Sequence, residues 1–394
     1  MNPTDAISFI ANPRRFVNQR LDSDAAASAL NFYRSLPDYA PTPLHSLDRL
    51  AAHLGLASLW LKDEGERFGL KAFKALGATY ALCRALARRL DITAAPLTLA
   101  AFAPPWARSR LAGITCVTAT DGNHGRAVAW AARRLGCRAA VYMPRGTSPA
   151  RVANVEMFGA AVTVIDGTYD DAVALAADHA RRNGWLLIQD TAWSGYEEIP
   201  AWIMAGYQTL AAECFAVIGD RVPTHVVLQA GVGSFAAAFQ TDLLARFGAL
   251  RPMTIVVEPT QAACFYESMT AGNGIARPAR GDMNTIMAGL ACGVPSTLAW
   301  EVLSASADLF AACPDRVARR GMRVLGNPLT GDPAVVSGES GAVGLGLVYE
   351  AMTDPALSDL KQAMGLNACS RVLVVSTEAD TDPEMYRRVV WGGE

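Results

Sequence analysis

The sequence predicts an α/β fold of two domains, each a mostly parallel, twisted sheet flanked by helices. Three observations carry this expectation. Short β-branched runs alternate with helical segments of roughly 10–15 residues, the pattern of βα units around a parallel sheet. Polar segments stand directly after several of those runs, two of them rich in glycine, where ligands of such folds bind beyond the carboxyl ends of the strands. The chain has 394 residues, 51% hydrophobic and 18% charged, enough for two domains and a large core with little disorder.

The elements follow in order. A polar lead-in contains one helix, over 22–34. Pro41 and Pro43, one residue apart, then fix an extended turn that cannot lie inside a helix. A short helix (47–54) and a short strand (59–62), followed by Asp63 and Glu64, lead into RFGLKAFKALGA at 67–78. A helical pattern runs on from there to Leu90. Strands are expected at 115–119, 139–143, 162–165 and 185–189, with helices at 125–135, 150–158 and 169–183. A longer helix (197–217) precedes strand 225–229, helix 235–247 and strand 254–257. Near the end come strand 372–375 and helix 383–390. The stretches 271–283 (AGNGIARPARGDM) and 326–332 read as loops from their Gly, Asn and Pro content. No internal repeat or low-complexity tract occurs.

Bulk properties exclude several classes of partner. Net charge is −2, with both signs mixed along the chain, so there is no basic stripe for nucleic acid. No apolar run reaches membrane-spanning length, and no basic start followed by an apolar stretch marks a secretory signal. Eight cysteines lie scattered, without CxxC spacing and mostly in apolar segments, as buried thiols of a reducing compartment do. Five dispersed histidines do not make a zinc site. The expectation is a cytoplasmic protein with a small-molecule partner and no metal.

Four segments carry candidate chemistry. Lys74 lies among Ala72, Phe73, Ala75, Gly77 and Ala78. Apolar surroundings strip the charged amine of its hydration, so its pKa is expected to fall and leave a neutral nucleophile for an aldehyde cofactor. A helix-start lysine in water is the alternative, and Lys71 is a rival. After the strand at 115–119 come Thr120, Asp121, Gly122, Asn123 and His124, in which Asp121 is either a helix cap or a catalyst. After strand 225–229 the turn Gly231-Val232-Gly233-Ser234 opens a helix, which suits a phosphate monoester. It lacks the third glycine of a dinucleotide fingerprint and the GK[ST] of a P-loop. After strand 372–375, Ser376 or Thr377 could hydrogen-bond a heteroaromatic nitrogen.

This order, with PTPL ahead of it, resembles the fold-type II pyridoxal-phosphate enzymes, the tryptophan synthase β-like family, from about Pro41 onward. Within that family RFGLKAFKALGA, TATDGNHG, QDTAWSGYEEIP, LQAGVG, VVSGESGA and STEADTDPEMYRRVVWGG most resemble the diaminopropionate ammonia-lyases. The resemblance implies a large cofactor domain (1–86 and 193–394) with a smaller α/β domain (87–192) inserted, and a homodimer. It also implies an α,β-elimination on an amino-acid substrate, 2,3-diaminopropionate of either configuration. The expected products are pyruvate and two ammonia.

Carried over by position, Lys74 is the Schiff-base lysine and Asn123 holds the cofactor's phenolic oxygen. Gly231, Val232, Gly233 and Ser234 cradle the phosphate, and Thr377, with Ser376 as the alternative, meets the pyridine nitrogen. Related serine and threonine dehydratases carry a small residue before GNH, where this chain has Asp121. The departure implies a second base, reaching the α-proton of the enantiomer that Lys74 does not serve. Thr120 and Gly122 are expected at the substrate carboxylate, and Asp190 at the distal amino group. No role follows for His124 or Glu339. The alternative activity is that of a serine/threonine dehydratase-like lyase; a non-catalytic cofactor-binding module is a third reading.

Overall fold

A computed structural model describes residues 6–13 and 23–392. The chain forms two compact units, Met1–Leu21 with Pro41–Ala72 and Leu210–Glu394, and Asp22–Ala40 with Phe73–Thr209.

The strands are β1 (Ser8–Ala11), β2 (Leu44–Ser46), β3 (Ser58–Asp63), β4 (Thr115–Ala119), β5 (Arg138–Met143), β6 (Ala161–Val164), β7 (Leu186–Leu187), β8 (His225–Gln229), β9 (Met253–Pro259), β10 (Leu309–Cys313) and β11 (Arg371–Ser376). In the first unit seven strands run in the order β1-β10-β9-β8-β11-β3-β2. The five inner strands are parallel, and β1 and β2 close the edges antiparallel. Strands β8 and β10 are buried at every position, which is why they read as continuous apolar runs. The second unit has four parallel strands, β6-β5-β4-β7. Val117, Ala119, Ala140 and Tyr142 face Ala172, Ala176 and Ala180 of the helix Tyr169–Asn183. Val141 lies on the other face, where Gly125 lets the helix Asn123–Leu135 come close. Helices therefore cover both faces of this sheet.

The division differs from the expected 87–192 insert. The helix Ala75–Arg89 groups with the second unit because it packs on the helix Asn123–Leu135 and because the Tyr33 hydroxyl donates to the Leu76 carbonyl. The early helix is described over Ser23–Arg34; Asp22 lies outside the described residues. Among the described residues one helix, Glu198–Ile218, has the length and apolarity to cross a membrane, and 67% of its apolar window is buried inside the protein.

Most expected elements occur within one or two residues of their forecast. The helix after β4 starts at Asn123 rather than 125, so Gly122 stands at its cap with φ 152°. Strand 185–189 shrinks to Leu186–Leu187. The sequence reading left most of 284–371 unassigned, and it contains β10 and the helices Thr297–Ser306, Asp315–Gly326 and Glu339–Thr353. Two of those helices cross at glycines. A Cβ on Gly346 would lie 1.9 Å from the Val317 carbonyl oxygen, and one on Gly321 2.1 Å from that of Ala342. Glu339–Thr353 is buried almost all round and so lacks the one-sided pattern that betrays a surface helix.

Candidate active site

Lys74 caps the N-terminus of the helix Ala75–Arg89. Gly77 and Gly206 let this helix and Glu198–Ile218 approach closely. A Cβ on Gly206 would lie 2.0 Å from the Leu76 carbonyl oxygen, and one on Gly77 2.5 Å from the Tyr207 ring. The approach sets the Lys74 ammonium 6.0 Å from the centre of the Tyr207 ring and 5.4 Å from that of Phe73. The buried Tyr207 hydroxyl has no hydrogen-bond partner among the described residues.

The lysine is not the depressed amine that its apolar neighbours suggest. Burial does pull its pKa down, but the Asp190 carboxylate, with Lys74 Nζ donating to Oδ2 at 2.5 Å, outweighs burial and holds the ammonium above its ordinary range. Sequence neighbours gave the desolvation; the compensating charge comes from 116 residues further on. The side chain of Lys74 is 18% exposed and that of Asp190 3%. The Lys71 side chain is 43% exposed and pairs with Asp380 at 2.7 Å in the first unit.

Asp190 follows β7, and a side chain replaces the missing ladder there. Gln189 Oε1 accepts from the Ala119 N–H (2.9 Å) and the Thr118 hydroxyl (3.0 Å), while its Nε2 donates to the Ala119 carbonyl (3.2 Å) and the Tyr169 hydroxyl (2.9 Å). Tyr169 in turn donates to Asp190 Oδ1 at 3.3 Å. The Tyr196 hydroxyl accepts from the Gln189 N–H and donates to the Leu187 carbonyl, both at 2.9 Å. His124 Nε2 donates to the Ile188 carbonyl at 2.7 Å, leaving Nδ1 3.7 Å from Asp190. Burial lowers the His124 pKa, against the pull of the Asp190 carboxylate. Against its own burial, the field of His124 and Lys74 pulls Asp190 down to about 2. His124, Tyr169, Gln189 and Tyr207 are the members sequence reading missed or left without a role; the one available signal was the polar pair Gln189-Asp190 ending an apolar run.

Asp121 sits in the turn after β4. Its Oδ2 lies 3.6 Å from Nη1 of the buried Arg151, and the Thr120 hydroxyl accepts the Gly122 N–H at 2.9 Å. Thr120, Asp121, Gly122 and Asn123 thus gather at the start of a helix in the unit that also holds Lys74 and Asp190.

The first unit holds the other group. Gly231–Ser234 connects β8 to the helix Ser234–Phe247, with Gly233 at φ 88° as its cap. A Cβ on Gly233 would lie 2.3 Å from Phe265 Cζ, and one on Gly231 3.1 Å from Cys292 Sγ. The Val232 carbonyl accepts from the Ser296 N–H (3.0 Å) and that of Gly233 from the Ala237 N–H (2.8 Å). Gln229 Nε2 donates to the Val375 carbonyl and to Thr377 Oγ1, both at 2.9 Å. Because a carbonyl fixes which end of that amide is nitrogen, the Thr377 oxygen is an acceptor here and its own proton is available to a third group. Ser376 is fully buried and bonds Ser337 at 2.8 Å.

The pyridoxal-phosphate dependent enzyme family matches residues 36–375. The diaminopropionate ammonia-lyase of Salmonella typhimurium is 46% identical over 402 residues, covering 99% of each chain. Two crystal structures of the Escherichia coli diaminopropionate ammonia-lyase match 99% of this chain and 98% of their own. The complex with D-serine gives a TM-score of 0.90 at 41% identity. The complex with the aminoacrylate-PLP azomethine reaction intermediate gives 0.89 at 42%. With its parallel sheets flanked by helices and these matches along its length, the chain belongs to the fold-type II pyridoxal-phosphate dependent enzymes and, among them, to the diaminopropionate ammonia-lyases.

Proposed function

We propose that the protein converts 2,3-diaminopropionate of both configurations, with one water, to pyruvate and two ammonia. The observation that carries this reading is the buried Asp190 paired with Lys74 at 2.5 Å in the unit that also holds Asp121. A substrate with an apolar or hydroxyl β-substituent gives no reason to bury a carboxylate; a distal ammonium does.

The residues present fit pyridoxal 5′-phosphate. In the 231–234 turn Gly233 has no room for a Cβ and Gly231 only a tight place for one, and a helix N-terminus follows, as an anion cradle requires. Thr377 has a proton to give to a ring nitrogen. We assign the phosphate to Gly231, Val232, Gly233 and Ser234, the ring nitrogen to Thr377, the phenolic oxygen to Asn123 and the aldehyde carbon to Lys74. When bound, the cofactor supplies an electron sink for the pair left at the substrate's α-carbon.

The chain's own groups do the rest. The backbone amides and hydroxyls around Thr120 and Gly122 hold the α-carboxylate. The substrate's distal ammonium takes the place of the Lys74 ammonium at Asp190, which leaves Lys74 free to act as a neutral amine. Lys74 removes the α-proton of the L-isomer and Asp121 that of the D-isomer. Asp190 keeps the distal nitrogen protonated, so that it departs as ammonia rather than as the far more basic amide ion.

Two variants test the reading. Asp121→Asn should abolish pyruvate release from the D-isomer and spare the L-isomer; equal loss of both sinks the two-base scheme. Lys74→Ala should remove the visible absorbance of the bound cofactor, and its persistence would move the anchor to Lys71. Faster pyruvate release from D- or L-serine than from diaminopropionate would favour the dehydratase-like reading. The same reading makes the protein a cytoplasmic homodimer. Trp391, 77% exposed beside the buried Val389, is a candidate contact that light scattering of Trp391→Ser would check.

A further inference from the structure

We infer that Glu258 is a positioning residue for the cofactor's phosphate, acting through the helix that backs the 231–234 turn. The inference rests on the reading of that turn as the phosphate site. Glu258 lies near the carboxyl end of β9, the strand beside β8, and is fully buried. Its Oε1 accepts the Phe265 N–H at 2.8 Å and its Oε2 the Tyr266 N–H at 2.7 Å. These are first-turn amides of the helix Cys264–Ala271, which have no acceptor inside the helix. The helix therefore takes its cap from the strand that neighbours the turn, six residues upstream, and its start is tied to β9.

The first two side chains of that helix stand behind the two glycines of the turn. Cys264 Sγ donates to the Gly231 carbonyl at 3.8 Å. The Phe265 ring occupies the space a Cβ of Gly233 would need, and it stacks on Phe310 with 6.4 Å between centres. The residue before the turn is fixed to the same strand, since the Ala230 N–H donates to the Val257 carbonyl at 2.8 Å. One carboxyl thus sets the start of the element that backs Gly233 and bonds the Gly231 carbonyl. Burial is the larger influence on it and pushes it up to about 8, against the pull of its two amide donors. A carboxyl kept in so unfavourable a place is doing more than an exposed cap would.

If Glu258 no longer holds Phe265 and Tyr266, the helix start shifts and the donors of the turn lose their common centre. Affinity for the phosphate should suffer and the rest of the cofactor's binding should not. The test titrates apoenzyme with pyridoxal 5′-phosphate and, separately, with pyridoxal, which lacks the phosphate, following protein fluorescence. Glu258→Gln, which keeps one acceptor, and Glu258→Ala should weaken pyridoxal phosphate about tenfold or more while leaving pyridoxal within twofold. Phe265→Leu, which keeps the cap and loosens the contact with Gly233, should give the same phosphate-selective loss should Glu258→Ala fail to fold. Gly233→Val serves as control. Selective loss in Gly233→Val but not in the Glu258 and Phe265 variants overturns the role of Glu258 and leaves the turn's assignment standing. No selective loss in any of them overturns the assignment itself.

Discussion

At Asp190 one carboxylate meets a lysine, a tyrosine hydroxyl and a histidine ring, and each partner is worth something different. The Lys74 contact is a largely buried ion pair, and removing one member leaves the other charged and poorly solvated. Asp190→Ala should therefore cost about 3 kcal/mol in stability as well as activity, by analogy with other broken buried pairs. Urea unfolding checks it, and a loss below about 1 kcal/mol would mean that Lys74 finds water or another partner. His124 contributes differently. Its folded pKa lies below its ordinary 6.5, so the unfolded chain takes up the proton first as pH falls. Its contribution is present above the unfolded value and is lost as pH drops through and below 6.5. Asp190, held near 2 against an ordinary 3.8, adds a second loss at lower pH, between those two values. The urea midpoint of the native protein should thus fall more steeply from pH 7 to pH 5 than that of His124→Gln. Parallel curves would remove His124 as the cause.

At the scale of elements, β7 shows both how far the sequence reading reached and where it stopped. Residues 185–189 have strand composition, yet only Leu186 and Leu187 pair with β4. Beyond them Gln189 bonds both backbone groups of Ala119 with its side-chain amide, a substitution of side chain for ladder that no local pattern announces. Gln189→Leu should strand the Ala119 N–H in a buried site, leaving its carbonyl to the Thr118 hydroxyl at 3.3 Å, and cost about 1–3 kcal/mol, with weaker binding of diaminopropionate through the displaced Asp190. Gln189→Glu should recover only the N–H contact. A midpoint unchanged in Gln189→Leu would mean water replaces the amide. Strands and helices whose own composition decided them were legible, including Thr115–Ala119 and Tyr169–Asn183 to the residue. The helix Asp315–Gly326 was legible too but went unread, since Val317, Ala318, Met322 and Leu325 already sit at helical spacing. Glu339–Thr353 was not, because a helix buried on nearly all sides has no polar face to give it period. In the candidate site, residues beside a glycine-rich turn could be found. Tyr207 could not, because only the packing of Gly77 against it brings it to Lys74.

For the whole molecule, the first unit must be assembled from separate stretches of chain, and four buried charges join two of them. Lys62 donates to Glu213 at 2.5 Å, and Arg67 bonds both oxygens of Glu213, at 2.9 and 2.7 Å. Arg67 also bonds Glu64 at 2.8 Å, and Thr42 donates to Glu64 at 2.5 Å. Two cations and two anions balance, so the cluster carries no net charge, and every side chain in it is almost wholly inaccessible. Burial alone would push Glu213 towards its neutral form; Arg67, with Lys62, holds its pKa below the ordinary value instead. Such a cluster need not add net stability, because desolvating four charges costs about as much as their attraction returns. Its effect is on which arrangement is tolerated. Any packing that separates Pro41–Arg67 from the helix bearing Glu213 strands charges in an apolar core. Glu213→Ala should therefore lower stability by about 3–5 kcal/mol, leaving Lys62 and Arg67 with one carboxylate between them. Replacing the cluster together (Lys62→Met, Glu64→Leu, Arg67→Met, Glu213→Leu) should recover most of that loss in urea unfolding. It should also broaden the transition, because apolar side chains accept neighbours that the charged set rejects. A quadruple variant as unstable as Glu213→Ala would instead make the ion pairs themselves the source of the stability.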